Sequence, residues 1–290
     1  MGPLCRIADL RAGVLRRTRQ ISGIVQVLSL CGRSYDLPVL PPSWEDLSVN
    51  DATFQKYLWL SSVPLVRLND QRLPTSSASG CLIDYSGKRV LLTVSHATGD
   101  QKNWAIQLRY VPGKGTETYQ LGAMNFLARA SLSEPKFKDI DFSYVEIPRT
   151  IRAYRQEIEA PANVVKSETL IAVHTPSLED TPKASDKFGF CGLVLPTSEN
   201  HFGQTYIGGE FRVYSGLSFL RTENDYHVFS LPFAHPGHEH FKGCSGAPIL
   251  SSDGSLVALV SSGCEKANEI RGISVRAYKT PIDILVGNFR

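Results

Sequence analysis

"FKGCSGAPIL" occupies residues 241–250. A cysteine and a serine stand side by side there, bracketed by Gly243 and Gly246, and Pro248 leads into an apolar run. A reactive serine needs a base to take its proton, a carboxylate to orient that base, and donors for the oxyanion that forms. Glycine at 243 lets the backbone N–H groups of 243 and 245 point into one cavity, and Gly246 leaves no side chain in the path of an acyl group. Taken alone, the stretch is equally an ordinary turn, because glycine and serine are common in turns. The remainder of the chain has to supply the partners.

Two segments do so. In "LLTVSHA", residues 91–97, an apolar run ends and His96 opens a loop. In "KDIDFSYVEIP", residues 138–148, Asp141 opens an apolar strand, with Asp139 as a neighbouring rival. A histidine at a strand end or an aspartate at a strand start is unremarkable alone; the combination and its order are what carry weight.

"GCSGAPIL" resembles the nucleophile segment of the chymotrypsin/trypsin-like serine proteases. "LLTVSHA" resembles that family's Thr-Ala-Ala-His segment, through Thr93, Val94, Ser95 and His96, and "DFSYVEI" resembles its aspartate strand, with Ser143 at the small position. The order His, Asp, Ser is the family's. The separations, 45 residues (141 − 96) and 104 residues (245 − 141), are close to the family's. "SLVALVSSG", 255–263, resembles the strand that pairs with substrate backbone, and "RGISVRAYKTPIDIL" resembles the final strand and terminal helix.

The resemblance covers roughly residues 62–290. It implies a serine endopeptidase working through an acyl-enzyme, with His96, Asp141 and Ser245 catalytic and the amides of Gly243 and Ser245 forming the oxyanion hole. It puts Cys244 one residue out of the nucleophile's frame, facing away from His96. It places Ser261, Ser262 and Gly263 along the substrate, Glu239 and His240 near the base of the specificity pocket, and Gly263 and Gly272 on its walls. Glu239 would suit Lys or Arg before the scissile bond; His240 would suit an acidic or amide side chain.

Departures from the family also carry expectations. Cys244 stands where secreted members carry the aspartate that pairs with a new N-terminus, and no Ile-Val-Gly-Gly start is present, so no zymogen step is expected. Ala97 replaces a disulfide cysteine, and Cys264 faces a family partner position held by Phe241. The six cysteines, at 5, 31, 81, 191, 244 and 264, form no CxxC pair. The expected compartment is reducing, hence cytoplasmic.

The fold expected is all-β: two six-stranded antiparallel barrels with a short C-terminal helix. Short β-like runs such as "WAIQLRYV", "GFCGLVL" and "EFRVYS" alternate with turns, and Gly87 and Gly254 sit where positive φ is needed. The boundaries expected are an N-terminal extension over 1–60, barrel one over about 61–155, barrel two over about 165–276, and a helix over about 280–288. Thr280, Pro281 and Asp283 read as N-cap, first helical residue and capping-box acid of that helix. The extension reads as loops with one short helix starting near Ser43.

Composition bounds the alternatives. The chain has 290 residues, 42% hydrophobic and 20% charged, with a net charge of +3. That balance supports no nucleic-acid or membrane surface; Arg11, Arg16, Arg17 and Arg19 read as a solvated cluster. Residues 16–32 loosely resemble an export signal, but Gln26 and Ser29 interrupt the apolar part. "HPGHEH", 235–240, raises a metal site; only Glu239 and Cys244 lie near enough to complete a set, so no metal and no cofactor is assigned. His174, His201 and His227 read as structural. The partner expected is a peptide or protein substrate. A protease-like binding module or an esterase is the alternative, although a Gly-x-Ser-x-Gly elbow is missing.

Overall fold

In a computed structural model of the chain, the structure describes residues 26–29, 51–99, 102–130, 137–159, 164–201 and 204–288. The N-terminal arginine cluster, Cys5, Cys31, most of the signal-like segment and Ser43 lie outside the described residues. The helix of the N-terminal region is α1, Asp51–Trp59.

Strand β1, Gln26–Ser29, precedes that helix. The first sheet is built from β2 (Val63–Leu68), β3 (Pro74–Tyr85), β4 (Lys88–Thr93), β5 (Trp104–Val111), β6 (Gly115–Gln120), β7 (Asn125–Ala130) and β8 (Phe137–Ile147). Their order is β6-β5-β2-β3-β4-β8-β7, with every pairing antiparallel. Strand β3 serves two neighbours. Residues up to Gly80 pair with β2, and those from Cys81 onward pair with β4, which curls the sheet about its own interior. Helix α2, Ser95–Thr98, follows β4 directly.

A hairpin of β9 (Tyr154–Glu159) and β10 (Val164–Leu170) leads to the second sheet. That sheet contains β11 (Lys187–His201), β12 (Gln204–Glu223), β13 (Tyr226–Ser230), β14 (Pro248–Ser251), β15 (Leu256–Cys264) and β16 (Glu269–Ser274). It runs β12-β11-β14-β15-β16-β13, and β13 pairs back onto β12, closing a six-stranded barrel. Strand β1 adds to β12 in parallel. Among the described residues the protein is thus an all-β structure, as expected, with one closed six-stranded barrel and a second sheet of seven strands. Strand β7 lies at one edge of the first sheet, paired to the N-terminal part of β8. Its sequence, NFLARA, does not alternate cleanly, and Phe126 remains 42% exposed.

The central strands are near-continuous aliphatic runs because both of their faces are covered. Val90, Leu91 and Leu92 of β4 are wholly buried, as are Ala258 and Leu259 of β15. Phe188, Phe190 and Phe229 fill the second barrel, and Leu65, Leu82, Leu91 and Ile106 fill the first sheet. A further cluster joins the two: Ile83, Leu92 and Phe142 from the first sheet meet Leu250, Leu259 and Ile273 from the second. Phe54 and Leu58, one turn apart on α1, plug one end of this seam. Gly189 lets the helix in, because a Cβ there would overlap Leu58.

The terminal helix α3, Lys279–Val286, buries Ile282 and Val286 against the same seam. Its cap differs from the expected one. A 3-10 turn over Arg276–Tyr278 runs straight into α3, so Thr280 is already inside the helix and Tyr278 precedes it. Asp283 accepts from Lys279 Nζ and Tyr85 Oη, both at 2.8 Å, and so ties the helix to β3.

Candidate active site

His96, Asp141 and Ser245 come from three separated stretches and meet where the two sheets face each other. His96 lies on α2, one residue into the helix that ends β4. Two contacts fix that short helix. Thr98 Oγ1 lies 3.2 Å from Ser143 Oγ on β8, and Trp104 Nε1 donates to Thr98 O at 2.8 Å. Asp141 lies on β8, beneath α2.

His96 Nε2 is 3.0 Å from Ser245 Oγ, and His96 Nδ1 is 2.8 Å from Asp141 Oδ1 and 2.9 Å from Oδ2. The His96 backbone N–H donates to Asp141 Oδ1 at 2.9 Å, and Ser261 Oγ donates to Oδ2 at 2.5 Å. Burial alone would push the Asp141 carboxyl up; the hydrogen bonds and charge of His96, with the Ser261 hydroxyl, outweigh it and hold the group below the usual carboxylate range. Asp141 therefore stays an anion that can hold Nδ1–H and leave the Nε2 lone pair for Ser245.

The turn carrying Ser245 is held from the other sheet. Ser79, buried on β3, donates its backbone N–H to Ser245 O at 2.9 Å and its hydroxyl to Gly243 O at 2.8 Å. Thr93 Oγ1 donates to Ser79 O at 2.8 Å and stiffens the clamp. Gly246 has φ +89°, and a Cβ there would overlap both Ser79 O and Thr93 Oγ1. Gly243 packs so closely on Leu193 that a Cβ would lie 2.6 Å from the Leu193 carbonyl oxygen. Both carbonyls are turned toward Ser79, and Gly243 also forms an isolated antiparallel bridge with Leu193 of β11.

Comparison with known proteins bears on the fold. No family model matches the chain, and no curated protein matches it by sequence. Solved structures do. Human heparin binding protein superposes with a TM-score of 0.50 at 13% identity, covering 80% of this chain and 93% of its own. Neuropsin, a serine protease expressed in the limbic system of mouse brain, gives 0.49 at 14% identity, covering 79% and 95%. The serine endoprotease from Yersinia pestis gives 0.48 at 12% identity, covering 86% and 68%.

The chain has the chymotrypsin/trypsin-like fold.

Within this trypsin-like framework the remaining sequence-named residues fall in two groups. Ser261 sits beside Asp141, and Ser262 and Gly263 continue along β15, both exposed. Beyond Val260, which bonds Gly246 and Ala247, β15 is paired only with β16 among the described residues. Its other edge is open next to Ser245.

Glu239 and His240 are each engaged by another side chain. Glu239 is 78% exposed and pairs with Lys242 at the surface. His240 Nε2 lies 2.6 Å from Tyr214 Oη. Both sit on a 3-10 turn, Glu239–Phe241, which directs only Phe241 inward. Gly272 faces the core, where a Cβ would lie 2.6 Å from Ile249 Cδ1.

Cys244 is buried, with Sγ 3.4 Å from Leu193 O on β11. Burial pushes its thiol well above the ordinary value. Cys81, Cys191, Cys244 and Cys264 are all free thiols. His235 and His240 of "HPGHEH" both stand edge-on to Phe241, and no three metal-ligating side chains converge among the described residues.

His174 is buried, lying 2.6 Å from Tyr57 Oη and 3.1 Å from Ser61 O. His227 is also buried, 3.0 Å from Thr222 Oγ1. Ser79 is the residue that sequence reading missed. It lies in "PTSSASG", a polar run with nothing to distinguish it from a loop.

Proposed function

We propose that this protein is a serine endopeptidase. The observation that carries the reading is the continuous line Ser245 Oγ, His96 Nε2, His96 Nδ1, Asp141, with links of 3.0 and 2.8 Å. His96 takes the hydroxyl proton as Ser245 Oγ attacks a peptide carbonyl, and Asp141 steadies the imidazolium. The amide N–H groups of Gly243 and Ser245 receive the oxyanion; removing one such donor in comparable sites costs about 3–4 kcal/mol. His96 then passes its proton to the leaving amine. Water resolves the acyl-enzyme, with His96 again as base.

The open edge at Ser261–Gly263 supports a polypeptide rather than a small ester as substrate, because an extended chain can add there as a strand. No step requires a cofactor. Cys244 is an unsuitable nucleophile: its sulfur faces β11 and its thiol is held protonated.

A fluorophosphonate probe tests the reading. Wild type and Cys244→Ala should be labelled, and Ser245→Ala should not. Labelling that persists in Ser245→Ala and vanishes in Cys244→Ala would overturn the assignment.

A further inference from the structure

His235 reaches β15 from the loop between β13 and the Ser245 turn. Its backbone N–H donates to Asn268 Oδ1 at 2.7 Å, and Asn268 Nδ2 donates to Leu231 O at 3.1 Å, so both ends of this loop segment are pinned. The imidazole stands edge-on to Phe241, with centroids 5.1 Å apart. Its Nε2 fills the space that a side chain at Gly263 would take, since a Cβ there would overlap it. The ring is therefore wedged between the outer end of the β15 segment and the turn that carries Ser245.

The tautomer follows from the neighbouring backbone. Gly237 N–H donates to His235 Nδ1 at 3.1 Å. Nδ1 is thus the lone-pair nitrogen, and the neutral ring carries its hydrogen on Nε2. That Nε2–H is buried and has no hydrogen-bond partner among the described residues. A buried donor without an acceptor is costly, and such groups are rare in native structures.

The next step rests on the peptidase reading and deepens it. A peptide paired along Ser261–Gly263, with its carbonyl at Ser245, carries the side chain before the scissile bond toward the contact of His235 Nε2 with Gly263. We infer that His235 is a specificity-determining residue whose Nε2–H donates to the carboxamide oxygen of a glutamine or asparagine at that position. An apolar side chain leaves the donor unpaired. Lysine or arginine brings a donor against a donor. A carboxylate lacks a compensating cation: burial, opposed by Glu265 and assisted by His238, holds the imidazole neutral.

The test uses the full chain and peptides that differ only in the residue before the scissile bond: glutamine, asparagine, glutamate, methionine or lysine. Wild type should show kcat/KM for glutamine or asparagine at least roughly 10-fold above methionine. In His235→Ala that ratio should fall to about 1, and His235→Gln, which keeps a donor, should restore part of it.

Binding of the same peptides to Ser245→Ala, followed by fluorescence anisotropy, reads the preference without turnover. If the fluorophosphonate fails to label wild type while Ser245→Ala still favours carboxamide peptides through His235, the nucleophile assignment falls and this inference stands. A wild-type ratio near 1 in both assays, or a carboxamide preference that survives in His235→Ala, overturns it.

Discussion

Ser79 grips the backbone of Ser245: its amide N–H donates to the Ser245 carbonyl oxygen at 2.9 Å. Its hydroxyl holds the neighbouring Gly243 carbonyl, so one residue of the first sheet sets both carbonyls of the turn. Ser79→Ala leaves the Gly243 carbonyl without its buried partner. The expected cost is about 1–3 kcal/mol in urea unfolding. Fluorophosphonate labelling should slow by roughly 10-fold, because a looser turn misplaces Ser245 Oγ. Unchanged stability and labelling would remove Ser79 from this role.

Gly246 cannot accept a side chain. Its φ of +89° is unfavourable for any other residue, and a Cβ would collide with backbone that has no room to retreat. Gly246→Ala should destabilise the fold by roughly 3 kcal/mol or more, visible as a fall in Tm, and should abolish labelling.

Asp141→Asn replaces the anion that holds His96 Nδ1–H, and hydrolysis should fall by about four orders of magnitude with Ser245 still present. The acid limb of stability should change as well. The folded pKa of Asp141 is depressed, so its contribution is complete above the ordinary carboxylate value and is lost as pH falls through the folded value. Thermal melts of wild type and Asp141→Asn should therefore converge on acidification through that window. Parallel curves across it would contradict the assignment.

Arg89 is a buried guanidinium held by four acceptors. It donates to both oxygens of Asp84 at 2.9 and 3.0 Å, and to the carbonyls of Arg149 and Ile151 at 3.1 and 3.0 Å. Asp84→Asn strands that cation and should cost roughly 2–3 kcal/mol, allowing for the partial exposure of Asp84. The Asp84 carboxyl is held low chiefly by its hydrogen bond to Arg89, so this contribution also disappears as pH falls through the folded value.

Thiol reactivity should separate the cysteines. Burial raises the thiols of Cys81 and Cys244, and lifts Cys191 to about 11, while Cys264 is only partly buried. In native protein, iodoacetamide should modify Cys264 before Cys81, Cys191 and Cys244, which should react only after unfolding. Peptide mapping by mass spectrometry reads the order.

Much of the fold is legible locally. Runs such as "RVLLT" and "LVALV" are apolar throughout because neighbouring strands and packed layers cover both faces, and a glycine at positive φ ends each of the two hairpins marked by Gly87 and Gly254. The segments around His96, Asp141 and Ser245 could be recognised for the same reason: each joins a short polar motif to an apolar strand. Strand β7 and the β9–β10 hairpin could not, because their residues are polar or half-exposed and show no firm period of two. The capping-box reading of Asp283 failed because a 3-10 turn runs straight into α3 and puts the cap at Tyr278, leaving Thr280 inside the helix.

Residue order and periodicity account for the β class and the terminal helix, and the resemblance of three short motifs to trypsin-like segments marks the side chains of the candidate site, since each is written in a few consecutive residues. The Ser79 clamp depends on how two separately curled sheets are set against one another, and the outward turn of Glu239 and the orphaned donor of His235 depend on packing between loops and strands of the second barrel. Those contacts join positions up to 166 residues apart, as in Ser79 and Ser245 (245 − 79), and hydrogen-bond register across such a seam follows from packing of the whole molecule.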